Sequence, residues 1–153
     1  MKFSRLLDVM IAAAIVVSTS LIAAAAGYAR LIEYFLIVSS VFFAVCASLR
    51  AKPLFLSGSC LTLCITNFPY SAYAISTSDI NSSGFVVMSQ VTSTVGGLAG
   101  AIIASALLRR YAYAGATMAL FVGFAGVSVG WFTTQLTICN TVMWCGPLTF
   151  SFK

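Results

Sequence analysis

Apolar residues come in long unbroken runs, and the short polar breaks between them hold nearly all of the charge. The runs predict helices at residues 8–28, 34–49, 54–75, 85–108 and 113–135, followed by a tail at 136–153. A β-barrel would instead alternate polar and apolar residues in segments of ~10. The run from Phe85 to Leu108 carries no charged residue. At ~1.5 Å rise per residue it reaches ~35 Å, enough to cross a ~30 Å hydrocarbon core. The expected fold is an all-α integral membrane protein, a small polytopic bundle in one domain with five transmembrane helices. Four spans are the alternative, with 54–75 left outside the bilayer as a surface or re-entrant segment.

The fourth and fifth runs form the expected centre, folded back on each other across Arg109 and Arg110. Small residues recur every four positions on the fourth, as Thr92, Gly96, Gly100, Ala104 and as Ser93, Gly97, Ala101, Ser105. The fifth carries Gly115, Ala119, Gly123 and then Gly126 and Gly130. Lipid tails are as apolar as the helices they surround, so close backbone approach has to hold such helices together. Gly96, Gly97, Gly100 and Ala104 are the expected packing residues on one side, and Gly115, Ala119 and Gly123 on the other. Gly100 is placed against Gly123, with Leu98 turned to lipid. The plain alternative is that Gly is simply frequent in membrane helices.

The first run follows Lys2 and Arg5 and resembles a signal peptide, with Gly27 and Ala29 as small residues for cleavage. Its length and the apolar run that follows at once favour a retained helical hairpin. The third run is the ambiguous one, because it contains Ser57, Ser59, Thr62, Thr66, Asn67 and Pro69. It reads either as a kinked helix lining a polar cleft or as a helix whose proline lies in the last turn, with Tyr70 and Tyr73 at the interface. Residues 76–84 read as a polar loop.

Composition excludes a soluble domain. Only 7% of the 153 residues are charged and 61% are hydrophobic, with a mean hydropathy of +1.05, whereas soluble domains carry roughly 25% charged residues. The net charge of +5 is no nucleic-acid signal, because the basic residues sit singly or in pairs at the ends of runs. Five spans put Lys2, Arg5, Arg50, Lys52, Arg109 and Arg110 on one side and Arg30 and Lys153 on the other, six against two. Four spans weaken this to Lys2, Arg5, Arg50, Lys52 and Lys153 against Arg30, Arg109 and Arg110, five against three. The positive-inside rule then predicts five spans, a cytoplasmic N-terminus and an outer C-terminus, in a bacterial inner membrane.

Chemistry-bearing residues are few. There is no histidine, and Asp8, Glu33 and Asp79 are the only acids, all read as lying at or beyond helix ends. Asn67 and Gln90 are the expected intramembrane polar residues, at similar depth and able to bond across helices for ~0.6–2 kcal/mol. Cys46, Cys60 and Cys64 read as small apolar side chains. Cys60 and Cys64 share a face but make a poor metal site without other ligands. Cys139 and Cys145 are a candidate disulfide in the outer tail. No catalytic residue, metal site or cofactor is expected. The reading of function is a non-enzymatic membrane protein whose partners are the bilayer and another membrane protein or itself, such as an assembly subunit or an immunity or exclusion factor. An oligomeric pore or small-solute transporter subunit is the alternative, and a thiol-disulfide oxidoreductase a minor one.

Overall fold

The computed structural model describes residues 4–25, 29–49, 51–76, 80–111 and 115–141. Five helices follow one another: α1 Arg5–Ala25, α2 Ala29–Ser48, α3 Phe55–Ser76, α4 Ile80–Arg110 and α5 Ala116–Thr141. No strand occurs among the described residues. Two stretches, Ser89–Arg110 and Ala116–Cys139, are helical, long and apolar enough to cross a membrane.

Caps and charges account for three of the helix ends. Ser4 Oγ accepts the Leu7 backbone N–H at 3.3 Å and so caps the start of α1. Arg109 and Arg110 occupy the last turn of α4, where cations oppose the negative end of the helix dipole. At the C-terminal end of α2, Arg5 of α1 donates to the Ala47 carbonyl at 2.8 Å, and Arg109 of α4 donates to the Leu49 carbonyl. These are carbonyls that an α-helix leaves without internal partners.

Several helices extend beyond the expected runs: α1 starts at Arg5 rather than at residue 8, α2 at Ala29 rather than at 34, and α5 ends at Thr141 rather than at 135. Helix α4 begins at Ile80, so Asn81, Ser82, Ser83 and Gly84 are helical rather than part of a loop. Helix α3 continues through Pro69 to Ser76, which takes the proline out of the last turn.

Helix α3 is the hub, packing against each of the other four helices. Every residue from Leu54 to Cys60 is buried. Its hydroxyls and its amide point into neighbouring helices: Ser57, Ser59, Thr62 and Asn67 are all buried. The segment reads as ambiguous in sequence for this reason. A helix surrounded by other helices is under no pressure to be apolar all round. The most extensive contact, however, joins α4 to α5. The core includes Ala12, Phe42, Phe55, Leu63, Ala101, Leu108, Ala119 and Val127.

Candidate functional site

Two polar centres and one small-residue seam account for the singular side chains of the bundle. The first centre lies at the charged end. Helix α3 starts after the turn Lys52–Phe55, closed by a 3.2 Å bond from the Phe55 N–H to the Lys52 carbonyl. Pro53 takes the second position of that turn and Leu54 the third, with φ at 70°, a conformation in which glycine is usual. Leucine has no side-chain oxygen, so α3 cannot cap itself there. Asp8 of α1 does it instead. Its carboxylate accepts the Leu56 N–H at 3.2 Å and the Ser57 N–H at 2.9 Å. Ser57 Oγ donates to Asp8 Oδ1 at 2.5 Å. The carboxylate thus sits at the positive end of the α3 dipole, and Asp8 is only 3% exposed. In sequence, Asp8 reads only as an acid at a helix end. The signal was available, since Lys52-Pro53-Leu54 opens a helix without an Asn, Asp, Ser or Thr to cap it.

The second centre lies further along α3, α4 and α5. Gln90 Nε2 donates to Asn67 Oδ1 at 2.5 Å, joining α4 to α3 with both residues buried. Beside it, the wholly buried Gln135 of α5 offers Oε1 to Ser93 Oγ at 2.6 Å and to Ser89 Oγ at 3.2 Å. Gln135 Nε2 donates to Cys139 Sγ at 2.8 Å. Gln135 closes the fifth predicted run, and its polarity there suggested only an end. Helix α5 continues past it to Thr141, which makes it interior. Thr62 Oγ1 adds a bond from α3 to the Phe124 carbonyl of α5 at 3.1 Å.

The small-residue seam joins α4 and α5, with a different pairing from the one expected. A Cβ on Gly100 would collide with the Gly126 carbonyl and stand 3.2 Å from Gly130 Cα, so Gly100 faces Gly126 and Gly130 rather than Gly123. Gly96 lies against Gly130 and Thr134, and Ala104 against Gly126. Gly123 turns to α3, where a Cβ would meet the Phe55 carbonyl at 2.5 Å and Ser59 Oγ at 3.0 Å. A Cβ on Gly97 would stand 3.3 Å from Val127 and 3.8 Å from Phe42. Ala119 is fully buried. Gly115 precedes α5 with nothing within 4 Å of a Cβ, so it is not a packing residue. Leu98 is half-buried against the core, not turned outward. The register differs because α5 has two small faces, Gly126 and Gly130 toward α4 and Gly123 toward α3.

Cys46, Cys60 and Cys64 are free thiols in α2 and α3. Cys139 is not a free thiol, and its expected partner Cys145 lies outside the described residues. Among the described residues, no three His, Cys, Asp or Glu side chains converge as metal ligands. Ser57 and Asp8 pair a hydroxyl with a carboxylate, but both are buried and the same carboxylate holds two backbone N–H groups. The geometry is that of a helix cap. Comparison with protein-family models, curated proteins and solved structures yields no match.

Proposed function

We propose that this chain is a multi-pass protein of a bacterial inner membrane, with five spans, a cytoplasmic N-terminus and an outer C-terminus, and that it acts without catalysis by lateral contact with another membrane protein. The observation that carries the reading is the inversion of polarity across the bundle. Large apolar side chains face outward on all five helices, among them Met10, Ile37, Phe68, Ile103 and Phe121. Ser57, Ser59, Thr62, Ser89, Ser93 and Thr94 face inward, as do Asn67, Gln90, Gln135 and Asp8. In water such a surface would be one extended aggregation-prone patch. In lipid it is the expected solvent-facing side. The outward threonines of α5 fit the same environment: Thr133 and Thr137 return their hydroxyl protons to the helix's own carbonyls at 2.7 and 2.9 Å. The gathering of Arg5, Lys52 and Arg109 at one end supports the cytoplasmic assignment of that end.

The polar side chains described above bond within the bundle, which leaves lateral helix contact as the activity best suited to the fold. The pore reading drew on the hydroxyls and amide of α3, and the buried ones among these contact neighbouring helices. Gly96, Gly97 and Gly100 of α4 and Gly123, Gly126 and Gly130 of α5 are likewise occupied inside the chain, so the partner surface belongs to the outward faces. A Cys139–Cys145 disulfide, tying the last turn of α5 to the outer tail, belongs to this reading as a structural clasp.

Purification in mild detergent, followed by reconstitution, tests the proposal. A stoichiometric unlike membrane protein retained through two orthogonal affinity steps is the expected result. A homo-oligomer that carries solute flux in liposomes would replace this reading with the pore.

A further inference from the structure

Helices α2 and α4 pack together and finish at the same, charged end of the bundle. Arg109 of α4 ties the two ends by donating to the Leu49 carbonyl just past α2. A helix C-terminus carries about half a negative charge and a guanidinium a whole positive one, so the junction keeps a positive surplus. That single bond also leaves Arg109 with further N–H donors. Arg110 follows it, exposed and bonded to no described residue. Neither arginine pairs with a carboxylate among the described residues, and Asp8 of α1 turns its own to the α3 N-terminus. Next in the chain comes Tyr111, exposed as aromatic residues are at the headgroup level. Away from the arginines the outer faces of both helices are apolar and open, with Val41 of α2 and Val95 and Ile102 of α4 exposed.

We propose that the junction of α2 and α4 binds an anionic phospholipid, with Arg109 and Arg110 on its headgroup phosphate and its acyl chains along the outer faces of the two helices over Val41, Val95 and Ile102. The inference rests on the membrane reading above. Charge complementarity selects the occupant. Cations between membrane helices at the headgroup level attract anionic lipids, and each one near the surface contributes roughly a fivefold preference. A free phosphate would answer the two cations and leave the apolar faces unmatched, whereas a lipid answers both. Arg109 is also more than a charge that sets topology. The Leu49 carbonyl holds its guanidinium at the junction, and Arg110 has no competing bond to give up.

The test is native mass spectrometry of the full chain released from mixed micelles of phosphatidylcholine and phosphatidylglycerol. The expected result is one phosphatidylglycerol adduct per chain, enriched over the bulk ratio. Enrichment should fall about fivefold in Arg110→Gln, which breaks no bond within the described residues, and in Arg109→Gln, which keeps an N–H donor for the Leu49 carbonyl. Arg110→Lys, which keeps the charge, should retain most of it. Arg5→Gln is the decisive control, because it removes one charge from the same end on the α1 side of α2, where Arg5 holds the Ala47 carbonyl. Equal loss in Arg5→Gln and Arg110→Gln would mean diffuse attraction and overturn the site. Absence of enrichment in the unaltered chain would overturn it too. Displacement of the adduct by inorganic phosphate would identify the free anion as the ligand and overturn the lipid assignment. Carbonate extraction of membranes separates the two readings. A chain released by carbonate fails the membrane proposal itself, whereas a chain that stays in the pellet but shows no lipid preference fails only this inference.

Discussion

Asp8 is the residue whose replacement has the most specific expected consequence. It joins α1 to α3 through three hydrogen bonds to backbone and hydroxyl groups of Leu56 and Ser57. Asp8→Ala leaves those donors buried without it, at a cost of about 1–3 kcal/mol. Asp8→Asn still presents an acceptor and should lose much less. Thermal unfolding in detergent orders the three proteins, and an Asp8→Ala variant as stable as the parent would show that the cap is not needed. Glycines divide just as sharply. Gly100→Ala places a methyl group against the Gly126 backbone, so overpacking of about 1–3 kcal/mol outweighs the gain in helix propensity. Gly115→Ala meets nothing and should be neutral or raise stability by about 0.4–1 kcal/mol through the unfolded chain. Ile103→Leu, on an outward face, is the silent comparison. The same melting assay reads all three, and equal damage from Gly100→Ala and Ile103→Leu would remove the glycine seam as the packing face.

Among the helices, α1 carries a question that its sequence leaves open. A hydrophobic N-terminal segment that is cut away contributes nothing to a finished fold. Here α1 packs on α3, buries Ala12 completely, caps α3 through Asp8 and holds the end of α2 through Arg5. The mature protein should therefore keep α1. Intact-mass measurement of protein purified from membranes checks this, and a species beginning near position 28 would contradict it. Helix α3 shows how burial reverses a hydropathy argument. Its serines and threonines lower its apparent fitness for a membrane, yet several of them face other helices, where bonds such as Thr62 to the Phe124 carbonyl hold the bundle together.

For the whole molecule, the proposed five-span arrangement predicts sidedness. With native thiols removed, single cysteines at positions Ser4 and Ser78 should be labelled from opposite faces of sealed vesicles, Ser4 from the cytoplasmic one. Cytoplasmic labelling at Ser78 would eliminate five spans. The tail supplies a second check on the same orientation. If Cys139 and Cys145 lie on the oxidising side, non-reducing mass spectrometry should find them joined and two hydrogens lighter than the free thiols. Full alkylation of both without reductant is the contrary outcome.

Long apolar runs and the placement of Lys and Arg were enough to read five helical segments, because both signals are local and survive without knowledge of neighbours. The ridges of Gly96, Gly100, Gly126 and Gly130 were equally plain as small-residue patterns. Which ridge met which was not, since a rotation of α5 exchanges Gly123 for Gly126 without altering the pattern, and only the packed helices choose between them. Gln90 and Asn67 could be paired from depth alone. Gln135 could not, because its place in the interior depends on α5 extending beyond the apolar run. Asp8 is the strongest case. Asp8 reads as lying at a helix end and Lys52-Pro53-Leu54 as a helix start without a cap, but nothing local joins two positions 48 residues apart. The tertiary structure supplied that partner, and the physical reason is the unsatisfied N–H groups that every helix N-terminus presents.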